Sequence, residues 1–248
     1  MMPMFYKVRF PFWLMLFLID LCGYILFSPL LLYNTLFNGE IKKDEVKKIL
    51  VIRLDHIGDM ILATPVFKNL KENFNAEVHV LCREMTVEVI KNNPHIDRII
   101  TFNSPWFSRG DSAPLSAFMR TVTLLRSEHY DICFELHTDP RNIVLAWLSG
   151  AQKRIGYPVR GFGFLFTHRI PFDVGTKHIV YQNLNLLRKI GCSLSPPCLE
   201  LHPSKEDISR VGNLFEKKGL ASQKLLIGIH PGQGMRQGPG LKNTLPDS

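Results

Sequence analysis

The sequence predicts an α/β protein built on a doubly wound parallel sheet. Two observations carry this reading. Short apolar runs such as "KILVIRL" (Lys48–Leu54) and "DICFELH" (Asp131–His137) lack strict polar alternation, as expected of strands covered on both faces. Segments with helical apolar spacing fall between them, and strand–helix alternation is the pattern of parallel strands joined by crossover helices.

The elements follow in order. Phe10–Tyr33 is strongly apolar, with Asp20 as its only charge. At about 1.5 Å per residue it is long enough to cross a bilayer. Asp20 near its middle costs on the order of a few kcal/mol in a spanning helix. No small-residue cleavage site follows, which argues against a signal peptide. Lys42, Lys43, Lys47 and Lys48 outnumber Lys7 and Arg9 across the segment, which favours a cytoplasmic main domain. Membrane attachment is expected, with spanning and interfacial modes both open.

A charged linker, Asn38–Lys48, leads into the strand Lys48–Leu54. "TPVFKNLKENF" then reads as a helix, with Thr64 at the N-cap and Pro65 at the first helical position. Further strands are expected at Ala76–Cys82, Ile96–Phe102, Asp131–His137, Gln152–Pro158 and Lys224–His230. Helices are expected in "MTVEVIKNNP", Ser116–Tyr130, "PRNIVLAWLSGA", Lys177–Gly191 and from Ser204 onward. Gly191 closes one of them, and Glu206 and Asp207 suit the dipole of the last. Asn103–Pro114, rich in Ser, Pro and Gly, reads as a mobile loop over a site. The last sixteen residues, "QGMRQGPGLKNTLPDS", show no apolar periodicity.

The chain has 248 residues, 46% of them hydrophobic, a net charge of +8 and a pI near 9.3. Such a charge points to an anionic partner or to an ordinary basic surface. Arg83, Arg141, Arg154 and Arg160 near loop ends favour a localised anion site. The five cysteines form no C-x-x-C pair, which argues for a reducing compartment, no zinc site and no disulfide framework. Cys82 and Cys133, in strand-like runs, read as core residues.

The chemistry concentrates in "RLDHIGDM". This turn lacks the three glycines of a dinucleotide fingerprint and the Gly-Lys-[Ser/Thr] of a P-loop, so a nicotinamide-dependent enzyme is disfavoured. Gly58 permits a sharp turn or a close ligand approach. Asp59 reads either as a helix cap or as a general base, because a carboxylate is ionised at neutral pH and accepts a hydroxyl proton. Arg53 reads as the partner of a nearby carboxylate. Asp55 and His56 line the turn.

"KILVIRLDHIGDMILATPVFKNLKENF" resembles the opening of the heptosyltransferase family, glycosyltransferase family 9. "YDICFELHTDPRNIVLAWLSGAQKRIGY", "KHIVYQNLNLLRKIG" and "IGIHPGQG" resemble later blocks of that family, in the same order, so the likeness covers roughly Lys47–Gly234. The resemblance implies a GT-B fold of two Rossmann-like domains, acceptor site in the first and nucleotide-sugar site in the second. It implies inverting transfer with no metal and no cofactor beyond a nucleotide-sugar co-substrate, an ADP-heptose. Asp59 is then the base. Gly58, Arg141, Arg160 and His178 are the acceptor-binding candidates, and His230, Pro231 and Gly232 the donor-binding ones. Solvated-cation readings of Arg141 and Arg160, and a helix-surface or core reading of His178, stay open. The Asp55–His56 pair departs from the small polar residues common in the family.

The resemblance divides the chain into a hydrophobic, membrane-associated segment with its linker (1–46), a Rossmann-like acceptor domain (47–220), and the first donor-domain strand with an irregular tail (221–248). The tail lacks the family's Trp-Pro pair and the later Asp-[Ser/Thr]-Gly-x-x-His segment. The expectation is a largely missing donor domain, by truncation or frame change near Gly234, and impaired activity. The implied partners are a phosphorylated lipid-linked glycan, a nucleotide sugar and the cytoplasmic face of the inner membrane, and not nucleic acid. The competing reading is a non-catalytic, membrane-anchored binding domain for a phosphorylated glycolipid.

Overall fold

The computed structural model describes residues 10–37, 41–102, 115–172, 178–220, 222 and 225–228. They fall into two units, Met1–His202 and Pro203–Ser248. The expected loop at Asn103–Pro114 and the donor-site candidates His230, Pro231 and Gly232 lie outside the described residues.

The first unit is built on a six-stranded, all-parallel sheet: β1 (Lys48–Arg53), β2 (Glu77–Cys82), β3 (Arg98–Thr101), β4 (Ile132–Glu135), β5 (Lys153–Gly156) and β6 (His168–Arg169). The strand order is β3-β2-β1-β4-β5-β6. The short β6 escaped sequence reading, because two residues show no period. The order reverses between β1 and β4, the topological switch point at which doubly wound sheets open a crevice beyond their carboxyl ends.

Both sheet faces are covered, as the apolar strands require. Ile49 and Val51 point into one core with Met60, Phe67 and Leu70. Leu50 and Ile52 point to the other with Val122, Leu125 and Leu145. This is strand period two. Each fully buried side chain of this size contributes roughly 1.5–3 kcal/mol over its exposed state. On the first face lie α3 (Ile57–Ile61), α4 (Thr64–Asn73), α5 (Val87–Ile90) and α8 (Ile179–Arg188), with core residues from each. The second face takes α6 (Leu115–Ser127) and α7 (Pro140–Leu148). Cys82 and Cys133 are buried in these cores as read, and all five cysteines are free.

Local corrections have physical causes. The N-cap of α4 is Ala63, not Thr64. The Thr64 hydroxyl instead donates to the Ile61 carbonyl at 2.8 Å, inside the tight junction between α3 and α4. The expected strand Lys224–His230 does not form over residues 225–228. Leu225 and Ile227 are 76% and 77% exposed there, and an apolar strand without a ladder partner or cover has nothing to hold it extended.

The N-terminal apolar stretch forms α1 (Phe10–Leu26) and α2 (Ser28–Phe37). Among the described residues no helix is long and apolar enough to cross a membrane. Asp20 is buried, and its carboxylate accepts the Phe162 backbone N–H at 2.6 Å. The second unit contains α9 (Lys205–Lys217), whose Ser204 and Asp207 form a reciprocal capping box.

Candidate functional site

The sequence "RLDHIGD" leaves β1 at the switch point. β4 runs parallel to it, with Ile52 opposite Glu135. The side chains that emerge from these two strand ends therefore meet. Arg53 is buried, and its Nη1 donates to the Leu136 carbonyl at 2.6 Å. Its Nε lies 2.9 Å from Asp55 Oδ2 and its Nη2 lies 3.3 Å from Asp59 Oδ1. The expectation that Arg53 pairs with a carboxylate holds twice over. Asp55 reaches in turn to His137, with 2.5 Å between Oδ1 and Nδ1. The Arg53 Nε, Asp55 and His137 Nδ1 contacts are close ion pairs without aligned hydrogen-bond geometry. The result is a chain of linked polar side chains, Asp59–Arg53–Asp55–His137, across the two strand ends.

Asp59 is the member of the chain that faces solvent among the carboxylates: its side chain is 42% exposed, against 4% for Asp55. It does not cap the helix. The N-cap of α3 is His56, and Asp59 lies within the first turn. Gly58 sits inside α3 without a positive φ, so the sharp-turn reading of this glycine is corrected. A Cβ placed there meets nothing within 4 Å, which leaves open space beside Asp59.

Behind this layer, the fully buried Glu135 accepts backbone N–H groups of His137 at 2.9 Å and Thr138 at 2.8 Å. These bonds curl the chain after β4, and Thr138 takes a left-handed φ of 66°. Burial pushes the Glu135 carboxyl up to about 7, against the pull of His137 and the two amides. Burial also works against a charged His137, but Asp55 more than offsets it, so the imidazole titrates above its ordinary range.

Arg141 lies in the first turn of α7. Its Nε and Nη2 are 2.9 and 2.6 Å from the carboxylate of Asp139, which also caps the helix by accepting the Arg141 N–H. Burial raises the Asp139 carboxyl, but Arg141 and its amide hold it below the usual carboxylate range. Arg160 is exposed in the loop after β5. His178 is exposed and caps α8 by accepting the Val180 N–H at 3.4 Å. Arg154, one of the four loop-end arginines, is instead a structural group: it donates to the Leu165 and Ala151 carbonyls. The switch point thus gathers Asp59, Gly58 and the α7 terminus bearing Arg141.

Sequence reading missed His137 and Glu135. The signal for them was "ELHTDP" directly after a strand, and it becomes informative only once β4 is known to adjoin β1. Among the described residues no group of three or more His, Cys, Asp and Glu side chains is arranged to hold a metal. A separate cavity of about 560 Å³, lined by Tyr157, Tyr181, Leu184 and Arg188 among others, contains none of the switch-point residues.

No family model matches the chain. Lipopolysaccharide heptosyltransferase 3 of Escherichia coli is 29% identical over 140 residues, 54% of this chain and 40% of that protein. A glycosyl transferase family 9 structure from Veillonella parvula superposes with a TM-score of 0.65 at 24% identity, covering 74% of this chain and 52% of the other. This is the fold of glycosyltransferase family 9. A further family-like structure, the E. coli heptosyltransferase WaaC with ADP-2-deoxy-2-fluoro heptose, gives a TM-score of 0.52 at 16% identity, covering 62% of this chain and 51% of that one. The chain spans 40–55% of the length of the curated relatives it matches. In this fold the linked side chains of Asp59, Arg53, Asp55 and His137 lie beyond the carboxyl ends of the adjacent strands β1 and β4.

Proposed function

We propose that this protein serves inverting, metal-independent transfer of a heptose from an ADP-activated donor to a phosphorylated, lipid-linked glycan of the lipopolysaccharide core, at the cytoplasmic face of the inner membrane. The observation that carries the reading is Asp59. It is a half-exposed carboxylate at the switch point, oriented by a buried arginine, with open space over Gly58 beside it. A base in that position takes the proton of an acceptor hydroxyl as its oxygen attacks the anomeric carbon. The bond to ADP breaks on the opposite face, and the nucleotide departs with the bonding pair. Arg141, Arg160 and His178 supply cations or donors for the acceptor's phosphates. His230, Pro231 and Gly232 are the donor-side candidates, on the resemblance alone. The names of the relatives, a lipopolysaccharide heptosyltransferase and a heptosyltransferase bound to an ADP-heptose analogue, support the substrate classes.

The test is product stereochemistry. Any glycoside formed on incubation with ADP-heptose and heptose-deficient core lipid in excess EDTA is expected to have the inverted anomeric configuration. Retention of configuration, or loss of turnover on chelation, overturns the mechanism. Acceptor binding with no transfer under any condition favours the binding-domain reading instead.

A further inference from the structure

The ladder of α1 continues into α2. Phe27 N–H donates to Gly23 and Leu31 N–H to Phe27, each at 2.8 Å. Pro29 has no N–H to give the Ile25 carbonyl, and the Ser28 hydroxyl donates to that carbonyl instead, at 2.7 Å. Helical spacing then sorts the side chains into two faces. Leu16, Asp20, Gly23, Tyr24, Phe27 and Leu31 turn toward the domain. The contacts are close: a Cβ at Gly23 would lie 2.2 Å from the Phe164 ring, and the rings of Tyr24 and Phe27 pack on Phe164 at 5.8 and 5.2 Å. The single carboxylate of the segment is consumed by the Phe162 N–H.

The opposite face is another matter. Leu14, Met15, Leu18, Leu21, Ile25 and Leu26 are 40–77% exposed, and the row continues through Leu32 and Tyr33. A continuous exposed apolar row of this length marks a contact surface. The stretch Gln152–Phe172, which supplies the docking site for α1, holds Lys153, Arg154, Arg160 and Arg169 and no carboxylate. Arg169 is exposed and sits 5.9 Å from the Tyr24 ring.

We propose that α1 and α2 form a monotopic membrane-docking element: the row Leu14–Tyr33 sinks into one leaflet of an anionic phospholipid bilayer, with Arg169 at the headgroups, while Asp20 and Gly23 clasp the helix to the domain. An apolar row flanked by cations is complementary to an anionic lipid surface. A spanning helix is incompatible with the clasp, because Asp20–Leu31 lies mid-segment and would carry the Phe162–Arg169 stretch, β6 included, into the hydrocarbon. The proposal is independent of the transfer reading, since lipid vesicles contain neither donor nor acceptor sugar.

The experiment is flotation of the full chain with vesicles of phosphatidylethanolamine containing about 30% phosphatidylglycerol, against pure phosphatidylcholine. The wild-type chain is expected to float with the anionic vesicles and to be released by alkaline carbonate. The exposed-face variant Leu18→Glu/Ile25→Glu, with an unchanged circular dichroism spectrum, is expected to bind at least about tenfold less. A nitroxide on the exposed Cys22 of a Cys198→Ser chain is expected about 5–10 Å below the phosphates, a readout that holds even if the glutamate variant does not fold. Undiminished binding by the glutamate variant overturns the proposal. So does equal binding to neutral vesicles, carbonate resistance, or a label at the bilayer centre. A dimer in solution that the glutamates dissociate, with no vesicle binding, assigns the face to self-association and overturns it as well.

Discussion

Nη2 of Arg53 lies 3.3 Å from Oδ1 of Asp59. The same guanidinium contacts Asp55 and donates to the Leu136 carbonyl, so one buried cation ties the end of β1 to the end of β4 and aims the proposed base. Arg53→Met takes from the buried Asp55 one of its two partners and leaves it His137, and breaking a buried pair from one side typically costs about 3–5 kcal/mol. The urea midpoint is expected to fall accordingly with the m-value unchanged. The double variant Arg53→Met/Asp55→Asn is expected to lose less than the sum of the two singles. A loss below about 1 kcal/mol in the single variant contradicts the packing described, given the usual cost of an unpaired buried charge.

Burial opposes a charged His137, but Asp55, with Glu135, outweighs it, so the imidazole titrates above its ordinary range. In Asp55→Asn only the burial and Arg53 contributions that oppose the cation keep their strength alongside the more distant Glu135, so the imidazole is expected to titrate lower than in the wild type. A histidine-resolved NMR titration reads this directly. An unmoved His137 midpoint would show that the 2.5 Å contact carries no weight.

Glu135 gives the fold a pH dependence. Its folded-state value of about 7 exceeds the ordinary 4.5, so between these values the folded protein binds the proton that the unfolded chain releases. That stabilising contribution is full below the unfolded value and is lost as pH rises to about 7, a penalty of roughly 3 kcal/mol when complete. Glu135→Gln removes the titration while sacrificing one backbone acceptor. Stability measured from pH 5 to pH 8 is expected to show a flatter curve for the variant, whatever its absolute offset. Parallel curves contradict the assignment.

Asp139 does two jobs, capping α7 and holding Arg141. Asp139→Ala is expected to cost about 1 kcal/mol from the cap. It also removes the Asp139 carboxylate from beside the guanidinium, so affinity for inorganic phosphate or a phosphorylated core lipid is expected to rise or hold. Calorimetry that shows phosphate affinity falling with Asp139→Ala would mean that the fixed orientation of Arg141 matters more than its availability.

Much of this was legible in the residues. β1, β2 and β4 announce themselves as apolar runs because a parallel sheet buried on both faces tolerates nothing else. "HIGDM" marked Asp59 as a candidate, and its place just beyond a strand end followed from the run before it. The chain linking Asp59 to His137 was not legible, because it depends on β4 adjoining β1, and strand order is set by crossover packing rather than by any local pattern. Asp20 shows the same limit. In the sequence it is a charge within an apolar stretch. In the fold it is the acceptor for an amide 142 residues away, a partner no periodicity reveals.

One substitution, Asp59→Asn, decides whether Asp59 acts as the base. Heptose transfer from ADP-heptose to heptose-deficient core lipid is expected to fall about 10²–10⁴-fold in Asp59→Asn, the usual worth of general base catalysis. Acceptor affinity is expected to stay within about threefold, since only the proton acceptor is removed. Turnover that survives Asp59→Asn at the wild-type rate contradicts the account.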